Sequence, residues 1–271
     1  MDLRKAIQTK NSYLCIGLDP ELSLFPPHLL HLPDPVFEFN KAIIAATSDL
    51  AVAYKPNLAF YEALGPAGWI SLQKTLDLIP ADSMKIADAK RGDIGNTSRK
   101  YATAFFEVLN FDAITVAPYM GEDSISPFFD FENKWVFVLA LTSNAGASDF
   151  QFHGGEKDPL YQEVIKRCIR WANQKPAKLG FVAGATRPEF LSEVRDLAPG
   201  HCLLVPGVGA QGGNVKDVCR AAKNDWGGLL INSSRGILYA GNGEDFAEKA
   251  RDEAKRLVEE MRRDSIPGSS D

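Results

Sequence analysis

Cysteine and histidine are scarce, with four of each among 271 residues. Cys15, Cys168, Cys202 and Cys219 stand far apart and form no C-x-x-C pair. A disulfide scaffold is excluded. Buried free thiols in a reducing, cytoplasmic setting are expected instead. His28, His31, His153 and His201 lack the spacing of a zinc protease or hydrolase, and the first two fall in the Pro-rich stretch PPHLLHLPDP. No metal site is expected. Long apolar runs are also missing. WVFVLAL (135–141) is far short of the roughly 18–20 residues that a membrane span needs. The stretch MDLRKAIQTKNSYLCIGLDP shows neither an apolar signal core nor a small-residue cleavage site, so no secretory signal is expected in it. Positive charge is not in excess: 30 Lys and Arg face 35 Asp and Glu, a formal net charge of −5. That disfavours a broad face for nucleic acid or an anionic membrane, but leaves room for a local anion pocket.

What is present is ordinary globular material. Hydrophobic residues make up 45% and charged residues 24%, which argues against disorder. The length suits two average domains or one α/β barrel of about 250 residues. Eight short apolar runs recur: 14–18, 50–54, 84–88, 113–117, 135–141, 180–184, 202–208 and 228–232. They are nearly continuous rather than alternating, as strands buried on both faces are. Between them lie helix-like segments. Asp34-Pro35 opens one with Val36, Phe39, Ile43 and Ile44; Pro66 opens another with Trp69, Leu72, Leu76 and Ile79; Asn96 precedes a third. Asp158-Pro159 starts a fourth with Leu160, Val164, Cys168 and Trp171, Pro188 stands near the start of a fifth, and a last runs from about Glu244 to Arg263. Asp, Asn and Pro at such starts are cap and first-turn chemistry. Strand alternating with helix eight times predicts a single (β/α)₈ TIM barrel. An open doubly wound sheet is the alternative. No composition shift marks a second domain, so one domain over 1–263 with a flexible tail at 264–271 is expected.

Chemistry in such a barrel sits at the C-terminal strand ends. Those ends carry Asp19, Lys55, Asp88 with Lys90, Thr142-Ser143-Asn144, Ala185-Thr186, Gln211 and Arg235. In MKIADAKRGDIGNTS, strand alternation turns Asp88 and Lys90 the same way, beside Lys55 on the neighbouring strand. Burying such charges is costly unless they pair. A salt bridge closing the barrel mouth is one reading. A charge array for an anionic substrate and proton transfer is the other. Asp93 follows in a Gly-flanked turn that could reach a neighbouring subunit. PGVGAQGG and NSSRG, after runs seven and eight, are either tight turns or a phosphate cradle with Arg235 as a charged clamp. Neither spacing fits a Rossmann or P-loop fingerprint.

The segment DAKRGDIGNT (88–97) resembles the signature of the orotidine 5′-phosphate decarboxylase family. The resemblance extends through CIGLDP, YKPN, LTSNAG, VAGAT, PGVGAQGG and Arg235, and SNAGASDFQ with VAGAT is similar to the longer-chain bacterial branch (type 2). It implies a TIM barrel that converts orotidine 5′-phosphate (OMP) to UMP and CO₂ in pyrimidine biosynthesis, without metal or organic cofactor. It assigns Lys55, Asp88, Lys90 and Asp93 to a Lys-Asp-Lys-Asp catalytic network, with Lys90 as proton donor to C6. Asp19 and Lys55 would contact ribose hydroxyls, Ser143 the pyrimidine edge, and Gln211 and Arg235 the 5′-phosphate. Asp93 and Thr97 would serve the other subunit of a homodimer. Two rivals remain. One is a related decarboxylase of a phosphorylated sugar acid using Mg²⁺, against which D-I-G-N-T and Gln211 argue. The other is a non-catalytic phosphate-binding barrel, against which the intact Lys-Asp-Lys-Asp set argues.

Overall fold

A computed structural model describes residues 1–155, 157–185, 188–208 and 213–263. The expected tail 264–271 lies outside them, as do Thr186 and Gln211. Eight strands follow in chain order around a closed parallel barrel: β1 Leu14–Leu18, β2 Ala53–Pro56, β3 Met84–Arg91, β4 Ala113–Val116, β5 Trp135–Leu141, β6 Lys178–Ala183, β7 Cys202–Pro206 and β8 Leu229–Ser233. Helices alternate with them. The barrel replaces the open-sheet alternative. Within the chain, Met1–Asp88 with the segment from Asn232 onward is one compact unit, and Ala89–Ile231 is a second.

In the first unit, β1 lies parallel to β2 with Gly17 beside Lys55 and Leu18 beside Pro56. β2 lies parallel to β3, Tyr54 beside Lys85, and Asn57 bridges to Asp88 one turn of the ladder further on. Every residue of β1 is buried, as a continuous apolar run predicts. The helix Pro35–Thr47 starts where expected: the Asp34 carboxylate accepts from the Phe37 N–H at 3.1 Å, and Pro35 fills the first turn. Its Phe39 is fully buried and stacks on Phe25 at 4.2 Å and on Phe246 of the helix Phe246–Arg263 at 5.3 Å. Truncating Phe39 to alanine would cost about 3–5 kcal/mol.

In the second unit, β4 pairs with β5, β5 with β6 and β6 with β7, all parallel. Gly180 on β6 is required by packing, because a Cβ there would lie 2.5 Å from the Phe137 ring. Arg195 is buried and donates to the carbonyls of Ala222, Ala198, His201 and Gly228 at 2.8–2.9 Å, which ties the loops at the N-terminal strand ends together.

Some expected boundaries move. The run 50–54 yields a strand only from Ala53, because the N–H groups of Leu50 and Ala51 still bond back to Thr47 at the end of the preceding helix. Asn96 does not precede its helix. The helix is Gly95–Thr103 with Ile94 at the cap, and a π-turn over Ala104–Val108 follows. In the helix Leu160–Ala172 the buried face is Tyr161, Ile165 and Cys168, one position on from the expected Leu160 and Val164. The last helix begins at Phe246 rather than near Glu244.

Candidate active site

The first unit holds Asp19, Lys55, Asp88 and Arg235. Lys55 is 4% exposed, and its ammonium donates to Asp88 Oδ2 at 2.6 Å. Burial works against that charge. The carboxylates of Asp88 and Asp19, and then Cys15, outweigh it and hold the ammonium above the usual lysine range. The lysine is therefore a fixed cation at any physiological pH. Beneath it, burial pushes the Cys15 thiol up to about 12, and its Sγ donates weakly to Asn232 Oδ1 at 3.6 Å. Cys15 is a packing residue, and all four cysteines are buried and free, as the sequence predicts. Gly17 has no room for a side chain: a Cβ would stand 1.8 Å from Ser234 Oγ. Arg235 is exposed and opens the one-turn helix Arg235–Leu238 directly after β8.

The second unit holds Lys90, Asp93, Thr97 and Ser143. Lys90 is exposed, and its φ of 47° is left-handed. The alternation used to orient Asp88 and Lys90 assumes extended backbone, so it holds along β3 only as far as Ala89. Asp93 and Thr97 are half-buried and belong to a turn pinned by Ser98. The Ser98 hydroxyl accepts from the Asp93 N–H at 3.0 Å and lies 2.7 Å from the Asp93 carbonyl and 2.6 Å from that of Ser124. Asp93 Oδ1 accepts from the Ile94 N–H at 2.7 Å. Ser143 lines a cavity of about 130 Å³ with Thr142, Asn144, Ser148, Phe152 and Phe190. Gly184 passes so close that a Cβ would be 2.9 Å from the Ser143 backbone nitrogen.

The family model described as "Orotidine 5'-phosphate decarboxylase / HUMPS family" matches residues 12–250. The chain belongs to this family. It is 56% identical to orotidine 5′-phosphate decarboxylase of Flavobacterium johnsoniae over 96% of this chain and 95% of that one. It is 51% identical to the Bacteroides fragilis protein of the same name, over 94% of each. Among solved structures it resembles Leishmania donovani OMP decarboxylase with a TM-score of 0.80 and 37% identity, covering 95% of this chain and 99% of that one. Leishmania donovani UMP synthase gives a TM-score of 0.86 and 40% identity over 97% of this chain, but only 55% of that longer chain.

The orotidine 5′-phosphate decarboxylase match takes in every site residue named from the sequence. Gln211 is within the match but outside the described residues. Its flanks are described: Gly207 has a φ of 96°, the Gly213 N–H donates to the Gly207 carbonyl at 3.3 Å, and Asn214 caps the helix Val215–Ala222. Other residues of this family member, none of them singled out by the sequence, also support the site. Tyr239 accepts from the Glu21 N–H at 2.7 Å and donates to the Asp19 carbonyl at 2.8 Å. Burial pushes its phenol up to about 12, so it stays a neutral donor. Buried Tyr61 donates to the Leu18 carbonyl at 3.2 Å. Gln151 holds the strand-five loop, accepting from the Thr142 N–H at 2.8 Å and donating to Thr142 Oγ1 at 2.7 Å. Among the described residues, no group of three or more His, Cys, Asp or Glu is placed to hold a metal ion, and no helix is long and apolar enough to cross a membrane.

Proposed function

We propose that the chain is a carboxy-lyase that converts orotidine 5′-phosphate to UMP and CO₂ in pyrimidine biosynthesis. The observation that carries the reading is the buried Lys55–Asp88 pair at 2.6 Å, standing in the Y-K-P-N and D-A-K segments of a chain 56% identical to a decarboxylase of that name. Breaking the C6–carboxylate bond leaves an electron pair on C6 in an orbital that the pyrimidine ring cannot delocalise. The protein must stabilise it electrostatically. Lys90 supplies the nearby positive charge and then its proton, forming the C6–H bond. The neutral amine regains a proton from water. Asp88 lies beside the departing carboxylate and orders the lysines. The step as written needs no metal or organic cofactor.

Binding energy comes from groups remote from C6. Asp19 and Lys55 contact the ribose hydroxyls, Ser143 the pyrimidine edge, and Gln211 with Arg235 the 5′-phosphate. Asp93 and Thr97 act in the partner's site of a homodimer. Ile94 supports this, since it is 62% exposed between them and gains from being covered. The reading takes residues 1–263 as one decarboxylase domain, and the four free buried thiols suit the cytoplasm.

The decisive test follows loss of orotidine 5′-phosphate by ultraviolet absorbance in the presence of a chelator. Turnover to UMP is expected. Turnover only with added Mg²⁺ on a phosphorylated sugar acid would replace this reading with the rival. Tight UMP binding without any turnover would make the chain a binding protein.

A further inference from the structure

Five described non-glycine residues have positive φ, and Lys90 is the one among them that lies in a strand. Three of the other four are Asn, which tolerates the left-handed region best. A lysine persists there only when its surroundings impose the conformation, and such imposed residues cluster where function needs them.

The surroundings are on β4 and in the turn itself. The Lys90 N–H donates to Thr115 Oγ1 at 3.0 Å. One residue on, the Ala117 N–H donates to the Arg91 carbonyl at 2.8 Å. Gly92 then passes the same strand end so closely that a Cβ would meet the Ala117 carbonyl oxygen at 2.6 Å. The Arg91 guanidinium folds back to donate to the Ala89 carbonyl at 2.9 Å and lies over the rings of Tyr101 and Phe105 at 5.4 and 5.7 Å. Of these restraints, the Thr115 bond is the one made to Lys90 itself by a side chain. Thr115 is 1% exposed, between the fully buried Ile114 and Val116. Valine would pack equally well at such a strand position, so packing alone gives no reason for a hydroxyl.

We propose that Thr115 is a positioning residue: its buried hydroxyl holds the Lys90 backbone in the left-handed conformation from which the lysine protonates the substrate carbon. This rests on the proton-donor reading of Lys90. Thr115 does not touch the substrate; it acts through Lys90.

The test replaces Thr115 by valine, which keeps the volume and removes the acceptor. Small displacements of a reacting group are costly, so kcat should fall about 10- to 100-fold while KM changes less than about threefold. Thr115→Ser restores the hydroxyl and should recover most of kcat. A stability pair reads the backbone directly. Lys90→Gly should melt at a higher temperature than Lys90→Ala, because glycine carries no Cβ penalty in this region. Unchanged kcat in folded Thr115→Val, a loss that Thr115→Ser does not recover, or a Lys90→Gly no more stable than Lys90→Ala would each overturn the proposal. If Lys90→Ala itself turns over normally, the proton-donor reading fails. If Lys90→Ala is inactive while Thr115→Val works at full rate, only the role of Thr115 falls.

Discussion

Lys55 and Lys90 stand at the ends of consecutive strands and carry the same ammonium group, yet their settings are opposite. Lys55 is buried, extended and bonded to Asp88 at 2.6 Å. Lys90 is exposed, and its backbone is bent to a φ of 47°. A buried ammonium next to carboxylates is a constant of the site: its charge is fixed, and so is its place. Lys90 stands at an exposed position on a braced backbone, and it is the residue to which the proposed mechanism assigns the proton. On the proposed mechanism, the contrast separates a lysine that organises charge from one that gives up a proton.

The sharpest way to break this contrast is Lys90→Ala. It should lower kcat by at least about 10³-fold, within the range of general-acid catalysis, while UMP binding measured by calorimetry stays intact. Near-normal kcat would erase the distinction. Lys55→Met should act on stability as well as on the site. It leaves the Asp88 carboxylate without its buried partner, at a cost of about 3–5 kcal/mol in urea unfolding.

The pH dependence of that difference sharpens the point. The folded value of Lys55 lies above the unfolded one. Its contribution is then fully present below the ordinary lysine value of about 10.4 and is lost only as pH rises through the elevated folded value. The gap between wild type and Lys55→Met in urea should stay flat from pH 7 to 10. A gap that closes within that window would show that the pair does not hold the charge.

Arg235→Ala should weaken UMP binding by about 10- to 100-fold, the worth of a charged hydrogen bond, and leave uridine binding almost unchanged. Equal losses for both ligands would remove Arg235 from the phosphate contact. Last, mixing Lys90→Ala chains with Asp93→Ala chains should restore a fraction of the activity through hybrid dimers. No rescue with hybrids confirmed would place Asp93 in its own chain's site.

Much of the architecture was legible because it is local. Continuous apolar runs such as LCIGL and WVFVLAL are what strands covered on both faces require, and Asp34-Pro35 is a helix start that needs no tertiary help. The strand at 50–54 was misjudged because Leu50 to Val52 are as apolar and buried as a strand while their first N–H groups finish a helix. Asn96 misleads because a good capping residue stands two positions past the actual cap, Ile94. At the site, the chemistry-bearing residues could be named, but Tyr239 and Thr115 could not. Each acts on a residue distant along the chain, Tyr239 across 220 positions to Asp19 and Thr115 across 25 to Lys90, and a hydroxyl has no pattern until its partner is beside it.

By itself, then, the order of residues determined the alternation of strand and helix, the four unbonded thiols and the family, since each depends on composition, periodicity or short segments read in place. The tertiary structure alone decided that Lys55 would be locked to Asp88 and that Lys90 would turn left-handed against Thr115. Those outcomes follow from distances between strands, and only closing the sheet sets them.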